Sequence, residues 1–329
     1  MVEISVTRWP FIRWKSKSAS NAAIGGIALT VSTLSGATFN GFAKKLTGVL
    51  SSLSLLFLSE VLTAFFVLFS FGVLPTVKSV LRLSRKELFW VAIVGALTGV
   101  VGPFLLFAGL SHTTAINAGL FGNMQMVFMV VLAHSILKEK MTSAHYSASF
   151  TILAGTVIIS LKGFTDGLTL QFGDALIIAS GLGYAYGSIY YRKYLFHVEP
   201  HIALFSRSII AIVMFFIVSP FVPHPFIAEM HALPSSLIPT LIGFAFIGRF
   251  LNSVTFYESI KRLDVTTVSL VGSLGVIAST LFAYLYLGEP ILWYHFVGGA
   301  FIILGTVLLE LLGAHPTSEH LEKHLKVKM

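Results

Sequence analysis

Gly155-Thr156-Val157 recurs 150 residues later as Gly305-Thr306-Val307, and the chain around each copy repeats the other. With 107–163 laid over 257–313, 12 of 57 positions are identical, including Leu120/Leu270, Leu137/Leu287, Glu139/Glu289, His145/His295 and Ile152/Ile302. An unbroken block of three and a shared Glu in the same link go beyond what an apolar bias supplies. Further upstream, Lys44-Lys45 falls on Arg192-Lys193, and Leu58-Ser59-Glu60 on Phe205-Ser206-Arg207. Self-similarity at a nearly constant offset, 150 positions here and 147 to 148 upstream, marks a fold built from two copies of a single unit.

Outward from that repeat the chain is a series of apolar runs. A membrane-spanning helix needs roughly 20 mostly apolar residues. Such runs cover 21–43, 53–74, 88–110, 113–137, 143–161, 172–191, 201–222, 236–256, 265–287 and 291–312. No link between them is long enough for a soluble domain. The spacing predicts an all-α membrane protein of ten transmembrane helices, arranged as two five-helix repeats. These would occupy 21–163 and 172–313, after a cytoplasmic interfacial arm over 1–20 and before a polar cytoplasmic tail over 314–329. Five is odd, so the second copy enters the membrane from the opposite face. Inverted repeats of this kind recur in secondary transporters, because one packing can then open to either side.

Composition agrees. Of 329 residues, 55% are apolar and only 11% charged, with a mean hydropathy of +0.86. A soluble domain carries about a quarter charged residues, so a soluble enzyme, a disordered chain and a fibrous protein are excluded. With no cysteine, disulfides, thiolate metal sites and cysteine nucleophiles are excluded too. The 22 Lys+Arg against 14 Asp+Glu orient a membrane chain rather than bind nucleic acid. With a cytoplasmic N-terminus, 17 of the basic residues fall in inside segments and only Lys44, Lys45 and Lys162 outside. Both termini are therefore expected in the cytoplasm. The first run is too long for the roughly 7–15-residue core of a cleaved signal peptide. The preceding Arg8-Trp9-Pro10-Phe11-Ile12-Arg13-Trp14-Lys15 mixes rings and cations as the headgroup layer favours.

Ionisable groups inside spans cost about 2.5–3.5 kcal/mol each and default to functional suspects. Three stand out: Glu60, Arg207 and Arg249. Glu60 and Arg207 are repeat equivalents, yet counting the helical rise from the span ends sets them about 10–15 Å apart in depth, which argues against contact. Glu60 is also the candidate for coupling to protons, since burial can raise a carboxylate's pKa toward neutrality. Arg249, Asn252 and Ser253 share one helix face at i, i+3 and i+4. A guanidinium in a polar cavity can hold a carboxylate or phosphate bidentately. Alternatively, Arg249 snorkels to the inner surface or pairs with Glu258 or Glu60. Further polar groups lie at mid-span: Asn40, Asn117, Asn123 and Gln125, then Ser269, Ser273 and Thr280. The sixth run interleaves Gly181, Gly183 and Gly187 with Tyr184, Tyr186, Tyr190 and Tyr191. The small residues also suit close helix packing, and the later tyrosines an interfacial belt. Glu139 and Glu289, in tight links, should each face the positive end of the helix that follows, spans 5 and 10.

Other motifs fail. Gly36-Ala37-Thr38-Phe39-Asn40-Gly41-Phe42 has Walker spacing with Phe where Lys is required, and His320-Leu321-Glu322-Lys323-His324 misplaces its Glu for a zinc protease. His224 and His231 suit a solvated loop better than a metal site. No enzyme activity, cofactor or metal is expected.

Leu137-Lys138-Glu139 and Leu287-Gly288-Glu289, each followed by a span holding Ala154-Gly155-Thr156 or Leu304-Gly305-Thr306, resemble the EamA domain of the drug/metabolite transporter superfamily, present here twice over roughly 21–313. The family often has proline early in the fourth span of each half. Here those regions read Gly122-Asn123-Met124-Gln125 and Gly272-Ser273-Leu274-Gly275, so a kink would rest on Gly or polar side chains. The resemblance implies a cavity formed mainly by spans 1, 3, 4, 6, 8 and 9. That places Asn40, Asn117, Gln125, Tyr184, Arg249, Asn252 and Ser273 along the substrate, and Glu60 and Arg207 away from it. It further implies an integral plasma-membrane carrier that moves a small organic metabolite, an amino acid or related solute, outward by alternating access. Its partners would be that solute, the lipid bilayer and, through Glu60, protons. Nucleic acid is not a partner, and the oligomeric state is not legible. The rival from another class is a membrane receptor or scaffold that binds a ligand without moving it.

Overall fold

The computed structural model describes residues 21–139, 141–160, 172–221, 225–272 and 274–312. Every described element is helical, and each apolar run of the sequence falls on a helix: α1 (Asn21–Ala37 and Phe39–Thr47), α2 (Ser52–Phe71), α3 (Arg85–Leu110), α4 (Ala115–Leu137), α5 (Ser143–Ser160), α6 (Phe172–Tyr194), α7 (Pro200–Val218), α8 (Ser235–Arg262), α9 (Val265–Gly272 and Gly275–Leu287) and α10 (Trp293–Leu312). Short helices Val73–Leu81 and Phe226–Ala232 occupy the links after α2 and α7. Among the described residues, α1, α2, α3, α4, α7 and α8 are long and apolar enough to cross a membrane, and α5, α9 and α10 hold shorter apolar stretches. Phe65, Phe69, Phe150, Phe216 and Phe296 face outward, each more than half exposed. Such a surface belongs in hydrocarbon, where helices satisfy their own backbone groups. The protein is an integral membrane protein.

The internal repeat is visible in the packing. α5 packs on α10, α2 on α7 and α4 on α9, while α1 packs on α8 and α3 on α6. Exchanging the first five helices with the last five maps this pattern onto itself. Local irregularities repeat as well. α3 widens to i, i+5 turns over Ala96–Val101, and α8 does so over Phe244–Leu251. α4 breaks at Asn123, where the amide of Asn123 donates to Leu120 O at 3.2 Å. α9 tightens in the same way, the amide of Leu274 donating to Val271 O at 3.1 Å. Both breaks form without proline, at the Gly and polar positions read from the sequence.

Helix ends are secured by charged and polar side chains in matched pairs. Lys44 Nζ donates to Leu110 O at 2.7 Å, closing the end of α3. Its counterpart Arg192 donates through Nη1 to Ile260 O and Lys261 O at 2.6 Å each, closing the end of α8. Cations at helix C-termini satisfy otherwise orphaned carbonyls and meet the negative end of the dipole. His145 Nδ1 accepts from the Thr142 amide at 3.1 Å ahead of α5, and His295 Nδ1 from the Leu292 amide at 3.0 Å ahead of α10. One expectation is corrected here. Glu289 does not cap α10, the next helix in the chain. Its carboxylate accepts from the amides of Ala115 (2.8 Å) and Ile116 (2.9 Å) at the start of α4, in the other repeat. Thr114 Oγ1 takes the Asn117 amide at 3.1 Å, so the first three amides of α4 are all satisfied. A carboxylate does sit on a helix N-terminus, but the helix is the neighbour in space.

The Gly-Thr-Val blocks lie where α5 and α10 touch backbone to backbone. A Cβ at Gly155 would stand 2.5 Å from Gly298 O, and one at Gly298 would stand 2.6 Å from Gly155 O. Small residues permit such approach in membranes, where association rests on close packing. Gly299, one residue on, has open space around its Cβ position. Gly298→Ala should therefore lower the melting temperature in detergent, whereas Gly299→Ala should leave it unchanged or raise it. Equal behaviour of the two variants would refute this contact.

Candidate functional site

α8 brings Arg249 inward on its widened turn, which rotates the side chain relative to a regular helix. The same 150-residue offset that relates the repeats places Gly99 opposite it, in the matching widened turn of α3. Gly99 makes room for a different cation: a Cβ there would stand 2.5 Å from Arg207 Cγ. Arg207 thus passes across α3 from α7. Glu60, in α2, is completely buried. It accepts from Ser208 Oγ at 2.6 Å and from Arg249 Nη2, and Arg207 Nη2 stands 3.7 Å from the same carboxylate oxygen that Arg249 holds. One carboxylate therefore serves two guanidiniums, and every contact named for it makes it an acceptor.

The depth argument from the sequence does not hold. Glu60 and Arg207 meet because α2 and α7 pack directly on each other and the long Arg side chain reaches along the crossing. Tilt and the reach of a long Arg, expected to close only part of the gap, bring the pair within 3.7 Å. Of the alternatives for Arg249, the pairing with Glu60 is the one formed, while Glu258 pairs with Arg262. The Arg249 guanidinium carbon also lies 5.9 Å from the ring centroids of each of Phe39, Phe107 and Phe244. Aromatic faces attract a desolvated cation.

These cations stand at the wall of a cavity of about 240 Å3 lined by both repeats. Asn40, Gln125, Tyr184, Arg249 and Asn252 line it together. Asn252 Nδ2 donates to Ser32 O at 2.8 Å and so ties α8 to α1, an approach that leaves no space for a side chain at Gly36. Arg207 lines the cavity as well, while Glu60 stands behind it. The resemblance had set Arg207 aside, but the gap at Gly99 admits it. Asn117 lies elsewhere, on a second cavity of about 450 Å3 with Lys44, Glu289 and His295. Ser273 lies outside the described residues.

Several groups at the site were not singled out in the sequence. Ser208 holds Glu60, Gly99 admits Arg207, and Thr98 Oγ1 lies 3.3 Å from the hydroxyl of Tyr257. The repeat offset could have found Gly99, since it is the twin of Arg249. The serine and threonine carry no pattern. Tyr194 stacks on Trp90 at 3.7 Å with 8° between the planes, and the Tyr191 hydroxyl donates to Val198 O at 3.0 Å, so both have local partners.

Removing one partner of a buried ion pair costs about 3–5 kcal/mol, because a charge is left uncompensated. Glu60→Gln strands two guanidiniums, whereas Arg207→Gln leaves Glu60 paired with Arg249. Glu60→Gln should therefore depress the melting temperature well beyond Arg207→Gln. The reverse order would show that Glu60 is not the common counter-ion.

Residues 23–161 and 171–311 each match the model of the EamA-like transporter family. The chain is 24% identical over 216 residues to the uncharacterized transporter YyaM of Bacillus subtilis, across 64% of this chain and 70% of that protein. It is 21% identical over 233 residues to an uncharacterized transporter of Methanothermobacter thermautotrophicus, across 69% of this chain and 66% of that protein, just under two thirds of its length. A solved crystal structure superimposes with a TM-score of 0.66 at 20% identity, covering 89% of this chain and 96% of that one. That likeness concerns the fold.

Proposed function

The chain belongs to the EamA-like transporter family, and from that premise we propose that it is a secondary transporter carrying a small organic metabolite, an amino acid or related solute, outward by alternating access. Ten transmembrane helices form two inverted five-helix repeats, over 21–163 and 172–313, in the plasma membrane. The odd helix number per repeat and the self-mapping packing support that arrangement. The arm over 1–20 and the tail over 314–329 lie in the cytoplasm, as the Lys/Arg asymmetry favours.

The observation that carries this reading is the cavity built from both repeats, with two buried guanidiniums and amide side chains at its wall. Rocking one repeat against the other exposes such a cavity to either side in turn. Arg249 holds an anionic group of the solute, Asn40, Gln125 and Asn252 orient it, and Tyr184 packs on its apolar part. Asn117 meets the solute on its passage through the second cavity. Glu60 serves as the fixed counter-ion of the two arginines, and its coupling to protons is the subordinate reading. A bound solute shifts the balance of poses only through unequal affinity for them.

Purified protein in sealed vesicles should show counterflow of a protecting metabolite, found by thermal-shift screening. A receptor or scaffold would show saturable protection without counterflow. Arg249→Ala leaves the Glu60–Arg207 pair in place, so the variant should still elute as a folded species. It should raise the half-saturating concentration of an anionic solute by about tenfold or more, the worth of a charge-assisted hydrogen bond. Unchanged uptake would reject the role of Arg249. Glu60→Gln should abolish any pH dependence if Glu60 carries the proton, and an unaltered profile would eliminate that role.

A further inference from the structure

The charges at the cavity do not balance. Arg207 and Arg249 are the charged side chains among its described lining residues, and Glu60 supplies one negative charge behind them. Arg249 is 2% exposed and Arg207 5%. The repeat explains the surplus. Glu60 and Arg207 are twins of opposite charge, while Arg249, which shares Glu60 with Arg207, has Gly99 as its twin and brings no carboxylate of its own.

The hydrogen bonds do not balance either. Arg249 Nε, Arg249 Nη1, Arg207 Nε and Asn123 Nδ2 have no acceptor among the described residues, and all three residues line the cavity. Buried donors without partners are few in folded proteins and each calls for an explanation. Here four nitrogens that can only donate belong to lining residues of one cavity, and Ser279 Oγ, on the same lining and likewise without a partner, can donate or accept. The complementary ligand is an acceptor carrying one negative charge. A carboxylate fits the forked guanidiniums, and the amide of Asn123 adds a further donor. Among the described lining residues there is no carboxylate to receive an ammonium group, and Glu60 behind them is engaged by Ser208, Arg207 and Arg249.

Resting on the alternating-access transporter reading above, but replacing its amino acid and net outward flow, we propose that this site takes a monoanionic carboxylate solute lacking a charged amino group, such as a 2-oxo acid, and that transport is one-for-one anion exchange. The physical reason lies in the occluded pose. Closing the cavity without an anion buries an uncompensated positive charge and four unpaired donors, which is unfavourable. Closing it with a carboxylate removes both penalties. The loaded carrier therefore turns over between the two sides, and the unloaded one does so far more slowly.

The test uses matched solutes that differ only in the amino group: pyruvate against alanine, and phenylpyruvate against phenylalanine. In thermal-shift titrations of the full chain, at least one oxo acid should protect, and its amino acid should protect about tenfold less or not at all. Arg249→Gln should lose that preference. Protection by the amino acids equal to that by the oxo acids, or by neither oxo acid, would overturn the proposal. So would equal protection by chloride or inorganic phosphate, which would make the site one for inorganic anions. In vesicles of the wild-type protein, labelled oxo acid should enter those preloaded with the same acid at least about tenfold faster than unloaded ones. Equal entry would overturn the exchange mechanism, and this comparison needs no variant. Counterflow of the amino acids alone would leave the transporter reading standing and refute this one. Binding of an oxo acid with no counterflow under any loading would refute transport itself.

Discussion

A single carboxylate, Glu60, is shared by two guanidiniums where α2, α7 and α8 meet. A charge buried among transmembrane helices is tolerated only with partners, and here the partners come from the opposite repeat. The ion cluster therefore ties the two halves together at the cavity wall. The local features around it follow from that requirement. Gly99 omits a side chain so that Arg207 can cross α3, the widened turn of α8 carries Arg249 inward, and Ser208 occupies the carboxylate oxygen facing away from Arg249. Three phenylalanine rings stand 5.9 Å from the Arg249 guanidinium carbon.

Symmetry and asymmetry are divided between frame and site. The frame repeats its devices: histidines in the first turns of α5 and α10, cations at the ends of α3 and α8, breaks in α4 and α9, and widened turns in α3 and α8. A carrier with two opposite-facing poses benefits from such a frame, since each pose of one half has its counterpart in the other. The chemistry at the centre departs from it. Glu60 of one repeat meets its equivalent Arg207 of the other, while the equivalent of Arg249 is Gly99. A solute has its own polarity, and a strictly symmetric pocket could not match it.

The sequence pattern revealed the helices and the repeat because both are written in long, periodic runs. Gly155 and Gly305 stood out as a matched pair, and the backbone contact between α5 and α10 explains both, since a Cβ at Gly305 would stand 2.8 Å from Ala148 O. Arg249 and Asn252 could be placed on one face from their spacing alone. Glu289 could not be placed. Chain order shows which helix comes next, not that α4 of the other repeat lies nearest. Glu60 and Arg207 looked too distant for the same kind of reason, since helix tilt and side-chain reach leave no trace in residue counting.

Composition and periodicity alone established a polytopic helical protein with an internal duplication, because hydrocarbon demands long apolar helices and a duplicated unit repeats its pattern. They also marked the costly ionisable residues. Which of these meet, which acceptors remain missing and which residues share a cavity were set by helix crossings. Those crossings depend on contacts between segments about 150 to 190 positions apart in the chain, a distance over which local pattern carries no information about proximity.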